Sequence, residues 1–237
     1  KSFNTSDKIV TCEPGLITAD LQTFAKEQGF FYPVDFASAG SSQIGGNVAT
    51  NAGGIKVIRY GLTRDWVAGL KVVTGTGHLL DCNFGLVKNA TGYDFRHLMI
   101  GSEGTLGLIV EVDIRLTSPP PPQIVMVLAV ENSKDLIKVL KEFSQRMPLS
   151  AFEFFSDLAL SKVLDHRELK APFDRRSPFY ALLEFDALQV EEAGKAFEVC
   201  EKAAWVQDAV LSQTENQSRE LWQLREGISE SIASYTP

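Results

Sequence analysis

Four consecutive prolines, Pro119 to Pro122, limit this 237-residue chain more than any other feature. Each fixes its own φ and gives up an amide donor, so neither a helix nor a central strand continues across the run. The segment reads as an extended, stiff spacer, and it divides the chain into residues 1–118 and 119–237. Glycine follows the same division: sixteen of the eighteen precede Leu108, leaving Gly194 and Gly227 beyond it. Charge differs as well, with ten basic against eleven acidic side chains in residues 1–118 and thirteen against nineteen in the remainder.

At 44% hydrophobic and 22% charged, the chain is long enough to bury two cores. A net charge of −7 without a basic stripe argues against a nucleic-acid partner. No apolar run reaches the length of a membrane span, and the first residues lack the charged, apolar and cleavage regions of a signal peptide. The chain opens directly on a strand-like Ile9 to Cys12, as an internal piece of a longer protein would. Cys12, Cys82 and Cys200 lie far apart, with none of the close pairs of zinc or thioredoxin-like sites. A cytoplasmic location is expected, free or peripheral to a membrane.

In the first half, Thr18 reads as the cap of a helix with Leu21, Phe24 and Ala25 on one face, stopped by Gly29. Phe30 to Tyr32 reads as a strand, and Val67 to Val73 with His78 to Cys82 as a hairpin about Thr74 to Gly77. A short helix near Tyr93 to Met99 precedes Leu106 to Leu116, where Leu108, Val110, Val112, Ile114 and Leu116 alternate as on a half-buried strand. In the second half, Ile124 to Val130, Phe179 to Phe185 and Trp205 to Leu211 read as strands. Ser133 starts a helix with Leu136, Ile137, Leu140 and Phe143 on one face. Further helices are expected after Phe152 to Phe155 as far as Asp165, from Val190 to Ala204 and, long and amphipathic, from Thr214 to Ile232 ahead of Ser234 to Pro237. The class is α+β, with the second half an antiparallel sheet carrying helices on one face.

The chemistry concentrates in SAGSSQIGGNVATNAGG, Ser38 to Gly54, where five glycines among Ala, Ser and Asn leave the backbone as the only reagent. Such a loop lets main-chain amides approach a bulky anionic ligand. A second glycine-rich loop, Gly101 to Gly107, lacks the Lys-Ser/Thr pair of a nucleotide-triphosphate loop and runs from helix into strand. The Rossmann pattern is absent, as is the nucleophile elbow of serine hydrolases. His78, His97 and His166 are too widely spaced for a local metal motif. Two small-residue loops bracketing a hairpin suit a large anionic cofactor carrying a flat ring system.

The runs FYPVDFASAGSSQIGGNVATNAGG, RYGLTRDWVAGLKVVTGTG and KNATGYDFRHLMIGSEGTLGLIVEVDIRL closely resemble FAD-linked oxidoreductases of the vanillyl-alcohol-oxidase type. The similarity is to their D-2-hydroxyacid dehydrogenase branch, which includes D-lactate and D-2-hydroxyglutarate dehydrogenases and the glycolate oxidase flavin subunit. The resemblance implies that residues 1–118 are the second lobe of a PCMH-type FAD-binding domain. Residues 119–237 would be part of an antiparallel-sheet-plus-helices substrate, or cap, domain. By the same resemblance, Pro33, Gly40, Ser41, Ser42, Ile44, Gly45, Gly46 and Asn47 line the pyrophosphate and ribityl part of FAD. Ala49, Asn51 and Gly53 lie near the isoalloxazine ring, and Glu103, Gly104, Gly107 and Ile109 form a second FAD-contacting segment.

The segment LWQLREGISESI, Leu221 to Ile232, resembles the family helix that brings an arginine to the substrate carboxylate. Arg225 would form a bidentate clamp that Lys cannot reproduce, and Ser229, at i+4, would add a hydrogen bond from the same face. The family's first lobe, its general base and its divalent-metal histidines would lie outside this chain. The implied reaction is oxidation of a D-2-hydroxy acid to the 2-oxo acid by hydride transfer to FAD. Electrons would pass on to a quinone, an electron-transfer protein or oxygen. The segment alone is expected to be inactive, a half-site that packs or associates, for example as a homodimer, without binding flavin.

Overall fold

The computed structural model describes residues 1–82 and 91–233. The chain forms two compact units, Lys1–Pro119 and Pro120–Pro237. Lys88 to Ala90 of the third motif and the terminal Ser234 to Pro237 lie outside the described residues.

The first unit runs β1 (Ser2–Asn4), β2 (Ile9–Cys12), α1 (Thr18–Glu27), α2 (Ile44–Thr50), α3 (Val57–Tyr60), α4 (Thr63–Trp66), β3 (Val67–Thr74), β4 (Leu79–Asp81), α5 (Phe95–Met99) and β5 (Gly107–Arg115). The strands form one antiparallel sheet in the order β1-β2-β5-β3-β4. Alternation decides its faces. Val10, Cys12, Leu70, Val72, Val112 and Ile114 turn inward against Leu21 and Ala25 of α1 and Ile44 and Val48 of α2. On the other face Thr11 Oγ1 donates to Asp113 at 2.7 Å, and Lys71 Nζ lies 2.7 Å from Glu111. One face is therefore packed and the other solvated, as antiparallel sheets allow.

The β3–β5 ladder steps from Lys71 opposite Glu111 to Val72 opposite Ile109, so β5 carries an extra residue at this point. Such a bulge reverses the facing of everything beyond it. Ile109 accordingly packs against the core while Leu108 turns outward, 70% exposed. This corrects the expectation that Leu108 shares a face with Val112 and Ile114. Phe30 to Tyr32 is not a strand; Phe31 makes a single bridge to Thr117, and Pro33, without an amide, cannot extend the pairing.

Two further corrections concern the glycine-rich segment. Thr18 is the first residue of α1 and not its cap. Its hydroxyl instead meets the Ser42 carbonyl at 3.1 Å and the Ser42 hydroxyl at 2.8 Å, and it accepts from Asn47 Nδ2 at 2.7 Å. Part of the supposed loop is helix: Ile44 and Val48, one turn apart, are both fully buried, and their burial outweighs the poor helix propensity of Gly45 and Gly46.

The second unit runs β6 (Gln123–Val130), α6 (Ser133–Arg146), β7 (Leu149–Ser156), α7 (Asp157–His166), β8 (Phe179–Asp186), α8 (Val190–Lys202), β9 (Asp208–Leu211), α9 (Glu215–Glu226) and α10 (Ile228–Ala233). Its antiparallel sheet has the order β7-β8-β6-β9. Met126, Leu128, Val130, Leu183 and Phe185 form a core with α6 and α8. The intervening Val125, Val127 and Leu182 are just as buried, on the face where Trp222 of α9 reaches Glu184 of β8. Helices thus cover both faces, correcting the one-sided arrangement expected. The unbroken apolar run of β6 is the local cause, because a strand buried on both sides has no polar face to show. On α6 the buried stripe is Leu136, Val139 and Phe143, whereas Ile137 is 56% exposed.

The last helix is two helices. A Cβ on Gly227 would lie 2.8 Å from the Gln223 carbonyl, 3.1 Å from Arg167 Nε and 3.2 Å from Val163 Cγ1. A side chain here would crowd the Gln223 carbonyl of α9 first, and then Arg167, just past α7, and Val163 of α7.

Candidate functional site: a glycine-walled groove and a paired arginine

The two glycine-rich segments are side by side. The Gly101 amide donates to the Val48 carbonyl at 3.0 Å and the Glu103 amide to the Ala49 carbonyl at 2.9 Å, which docks the second segment on the C-terminal turn of α2. Between them runs a groove of about 350 Å³ lined by Pro14, Gly15, Gln43, Gly45, Gly46, Ala49, Gly104, Gly107, Leu108 and Ile109. Six of the residues expected to contact cofactor meet there: Gly45, Gly46, Ala49, Gly104, Gly107 and Ile109. Sequence reasoning missed Pro14, Gly15, Gln43 and Leu108, although Pro14-Gly15 carries a turn signal and Gln43 sits inside the glycine-rich run.

The glycines of the groove differ in why they are glycine. A Cβ on Gly45 would stand 2.4 Å from Pro14 Cβ, and one on Gly107 would stand 2.5 Å from Val72 Cγ1 and 2.8 Å from the Val73 carbonyl. Both are explained by the protein's own packing. Gly104 has a left-handed φ of +76°. Gly46 has neither reason: it lies within α2, and a Cβ there meets no atom within 4 Å. A helical glycine costs about 1 kcal/mol relative to alanine, so its bareness points to something outside the protein that approaches the backbone. Exposed Leu108 adds an apolar rim. A wall rich in glycine, with an apolar edge, fits part of a flavin dinucleotide.

The other expected cofactor residues do not line the groove. Ile44 is wholly buried in the core and its amide donates to the Leu16 carbonyl at 2.9 Å. Asn47 is buried on Thr18, and Ser42 bonds the same hydroxyl. Gly40 and Ser41 lie in the exposed turn before α2, where the Ser41 amide donates to Ser38 at 2.9 Å. Pro33 is buried after the Phe31 bridge. Asn51, left-handed at φ 50°, ends α2 and accepts from the Arg64 amide at 3.0 Å. Gly53 is closed in by Val57 and Leu62, which would stand 3.0 and 3.1 Å from a Cβ at that position. Ser42, Ile44 and Asn47 tie α2 to α1 and the segment before it; the side chain of Glu103 is exposed.

In the second unit, Arg225 Nε donates to Glu153 Oε2 at 2.9 Å, and one of its terminal nitrogens lies 2.9 Å from the same oxygen. Ser229 is exposed, on α10 beyond the break at Gly227. Gly227 itself keeps right-handed helical dihedrals, φ −67° and ψ −14°.

Burial raises all three thiols, Cys82 included. Burial pushes the Cys12 and Cys200 thiols up to about 11, so both remain protonated near neutrality. Among the described residues no group of three or more His, Cys, Asp or Glu is placed to hold a metal ion.

Residues 1–83 match the FAD binding domain family, and residues 119–236 match the family described as FAD linked oxidases, C-terminal domain. A D-2-hydroxyglutarate dehydrogenase of Stutzerimonas stutzeri (strain A1501) is 56% identical over 99% of this chain and 51% of its own length. Another, from Xanthomonas citri pv. viticola, is 55% identical over 99% of this chain and 50% of its own. The chain spans about half the length of these relatives. Among solved structures, an alkyldihydroxyacetonephosphate synthase superposes with a TM-score of 0.69 at 18% identity, over 95% of this chain and 44% of that one. At that identity the likeness concerns the fold. The chain belongs to the FAD-linked oxidases and joins a segment of their FAD-binding domain to their C-terminal domain.

Proposed function

We propose that the protein to which this chain belongs oxidises a D-2-hydroxy acid to the 2-oxo acid with FAD, and that D-2-hydroxyglutarate is its substrate. The observation that carries this reading is the groove, where two distant glycine-rich segments expose backbone to a ligand and Gly46 lacks a side chain for no internal reason. The choice of acid is supported by the relatives' names, at 55–56% identity along the whole chain.

Gly45, Gly46, Ala49, Gly104, Gly107 and Ile109 would hold part of the flavin. When bound, FAD supplies the acceptor for the hydride of the substrate's α-carbon. Arg225 binds the substrate carboxylate, with its planar charge fixing the acid's orientation. Ser229, exposed one helix later, is the weaker member of this pair. The general base and any divalent cation belong to residues outside the chain, and electrons leave to a quinone, an electron-transfer protein or oxygen. We place the protein in the cytoplasm, a reading supported by the three free thiols of this chain.

The test is anaerobic mixing of the full-length, FAD-loaded protein with D-2-hydroxyglutarate, its L enantiomer, D-lactate and glycolate, following flavin absorbance. D-2-Hydroxyglutarate should bleach the flavin fastest. Bleaching by none of the acids refutes the activity, and a full-length protein that takes up no FAD refutes the cofactor.

A further inference from the structure

Glu153 lies on β7, an edge strand of the second sheet, opposite Leu182 of β8. Glu184, two residues along β8 from Leu182, shares that face, and α9 crosses over both carboxylates. Trp222 and Arg225, three apart on α9, point down together: Trp222 Nε1 donates to Glu184 at 2.8 Å, and Arg225 to Glu153 at 2.9 Å. The helix is thus anchored by two charge-assisted hydrogen bonds to adjacent strands, which fixes its rotation about its own axis.

Glu153 meets the arginine along one edge only. A single oxygen, Oε2, takes both Nε and one terminal nitrogen, each at 2.9 Å. Guanidinium has five N–H donors in a rigid plane, so the edge formed by its two terminal nitrogens retains donors for a second carboxylate.

We infer that Glu153 is a positioning residue for Arg225, holding the guanidinium by its side edge so that its end faces the carboxylate of the substrate. This rests on the reading that Arg225 grips that carboxylate. The pairing carries an electrostatic cost, because a negative charge beside an anion-binding cation weakens attraction for the anion. The sign of the effect of removing Glu153 therefore separates two roles. A positioning residue, once removed, weakens substrate binding; a competitor for the arginine, once removed, strengthens it.

The experiment is steady-state kinetics of the full-length, FAD-loaded enzyme on D-2-hydroxyglutarate, with unfolding midpoints measured alongside. Glu153→Ala should raise KM by about tenfold, the worth of one charge-assisted hydrogen bond, with a much smaller change in kcat. Glu153→Gln keeps an oxygen acceptor and should recover most of the loss, and Glu153→Asp, one methylene short, should fall between. Arg225→Lys should raise KM, and adding Glu153→Ala to it should cost little more. If Glu153→Ala does not fold, the Gln and Asp variants carry the comparison. A KM that falls or stays constant on loss of Glu153, while Arg225→Lys raises it, overturns the inference alone. A KM unchanged by Arg225→Lys removes Arg225 from substrate binding, and the role of Glu153 goes with it.

Discussion

Gly46→Ala separates a cradle from an ordinary surface, because folding and binding respond with opposite signs. The added Cβ meets no protein atom within 4 Å, and the position is helical. Folding should therefore gain from the better helix propensity of alanine and the reduced freedom of the unfolded chain, by about 0.5–1 kcal/mol. If FAD lies against this backbone, the same methyl overpacks the contact at a cost of about 1–3 kcal/mol, and flavin affinity drops roughly 5- to 150-fold. Gly45→Ala is the control. Its Cβ would meet Pro14 Cβ at 2.4 Å, and that segment cannot retreat without losing the 2.7 Å bond from the Gly45 amide to the Pro14 carbonyl. It should lose about 1–3 kcal/mol of stability. Urea unfolding gives the first quantity and flavin titration of the full-length apoprotein the second. A Gly46→Ala protein that is more stable yet binds FAD as tightly as the parent would refute the assignment of flavin to this groove.

Asp94 caps α5 by accepting from the Arg96 amide at 3.1 Å and pairs with the Arg96 guanidinium, which also donates to the Ala68 carbonyl at 2.6 Å. The hydrogen bond from Arg96 holds its carboxyl below the usual value. A carboxyl depressed in the folded state contributes fully above its unfolded pKa, near 4, and the contribution is lost as pH falls through the folded value. Asp94→Asn should therefore lower the urea midpoint at pH 7 and flatten its decline on the acid side. Trp222→Phe removes the indole donor to buried Glu184 and should cost about 1–3 kcal/mol, measured by urea unfolding; in a Glu184→Gln background the same change should cost less. Gly227→Ala should destabilise by about 1–3 kcal/mol by crowding the Gln223 carbonyl at 2.8 Å and Val163 at 3.2 Å, and an unchanged midpoint would show that these neighbours give way.

Much of the framework was legible because it rests on local rules. The four prolines marked the change of unit; the Thr74 to Gly77 turn announced its hairpin, with Gly77 at a left-handed φ of +80°; and β6, α6, α8 and β8 followed their apolar patterns. Two of the misreadings share a cause, which is dependence on what a distant segment does. Leu108 faces outward because of the ladder with β3, a partner invisible to the periodicity of β5. Thr18 serves Ser42 and Asn47, more than twenty residues away, and not its own helix. At the groove, composition could not tell the glycines crowded by Pro14 or Val72 from those, such as Gly46, at which a Cβ would meet nothing within 4 Å. Arg225 was found by resemblance alone; its partner Glu153 lies 72 residues earlier, and no pattern within α9 points to it.

The place of β5 also bears on biosynthesis. It is the last strand of its unit to leave the ribosome, yet it occupies the middle of the sheet, with Ile9 opposite Arg115 on one side and Val67 opposite Ile114 on the other. Until Arg115 has emerged, β2 and β3 have nothing to bridge them and the groove lacks one wall. Pairing across so long a stretch of chain is slow, so the second wall of the groove forms late. Interrupted translation before that point leaves open strand edges, the kind of species that aggregates and is removed by quality control.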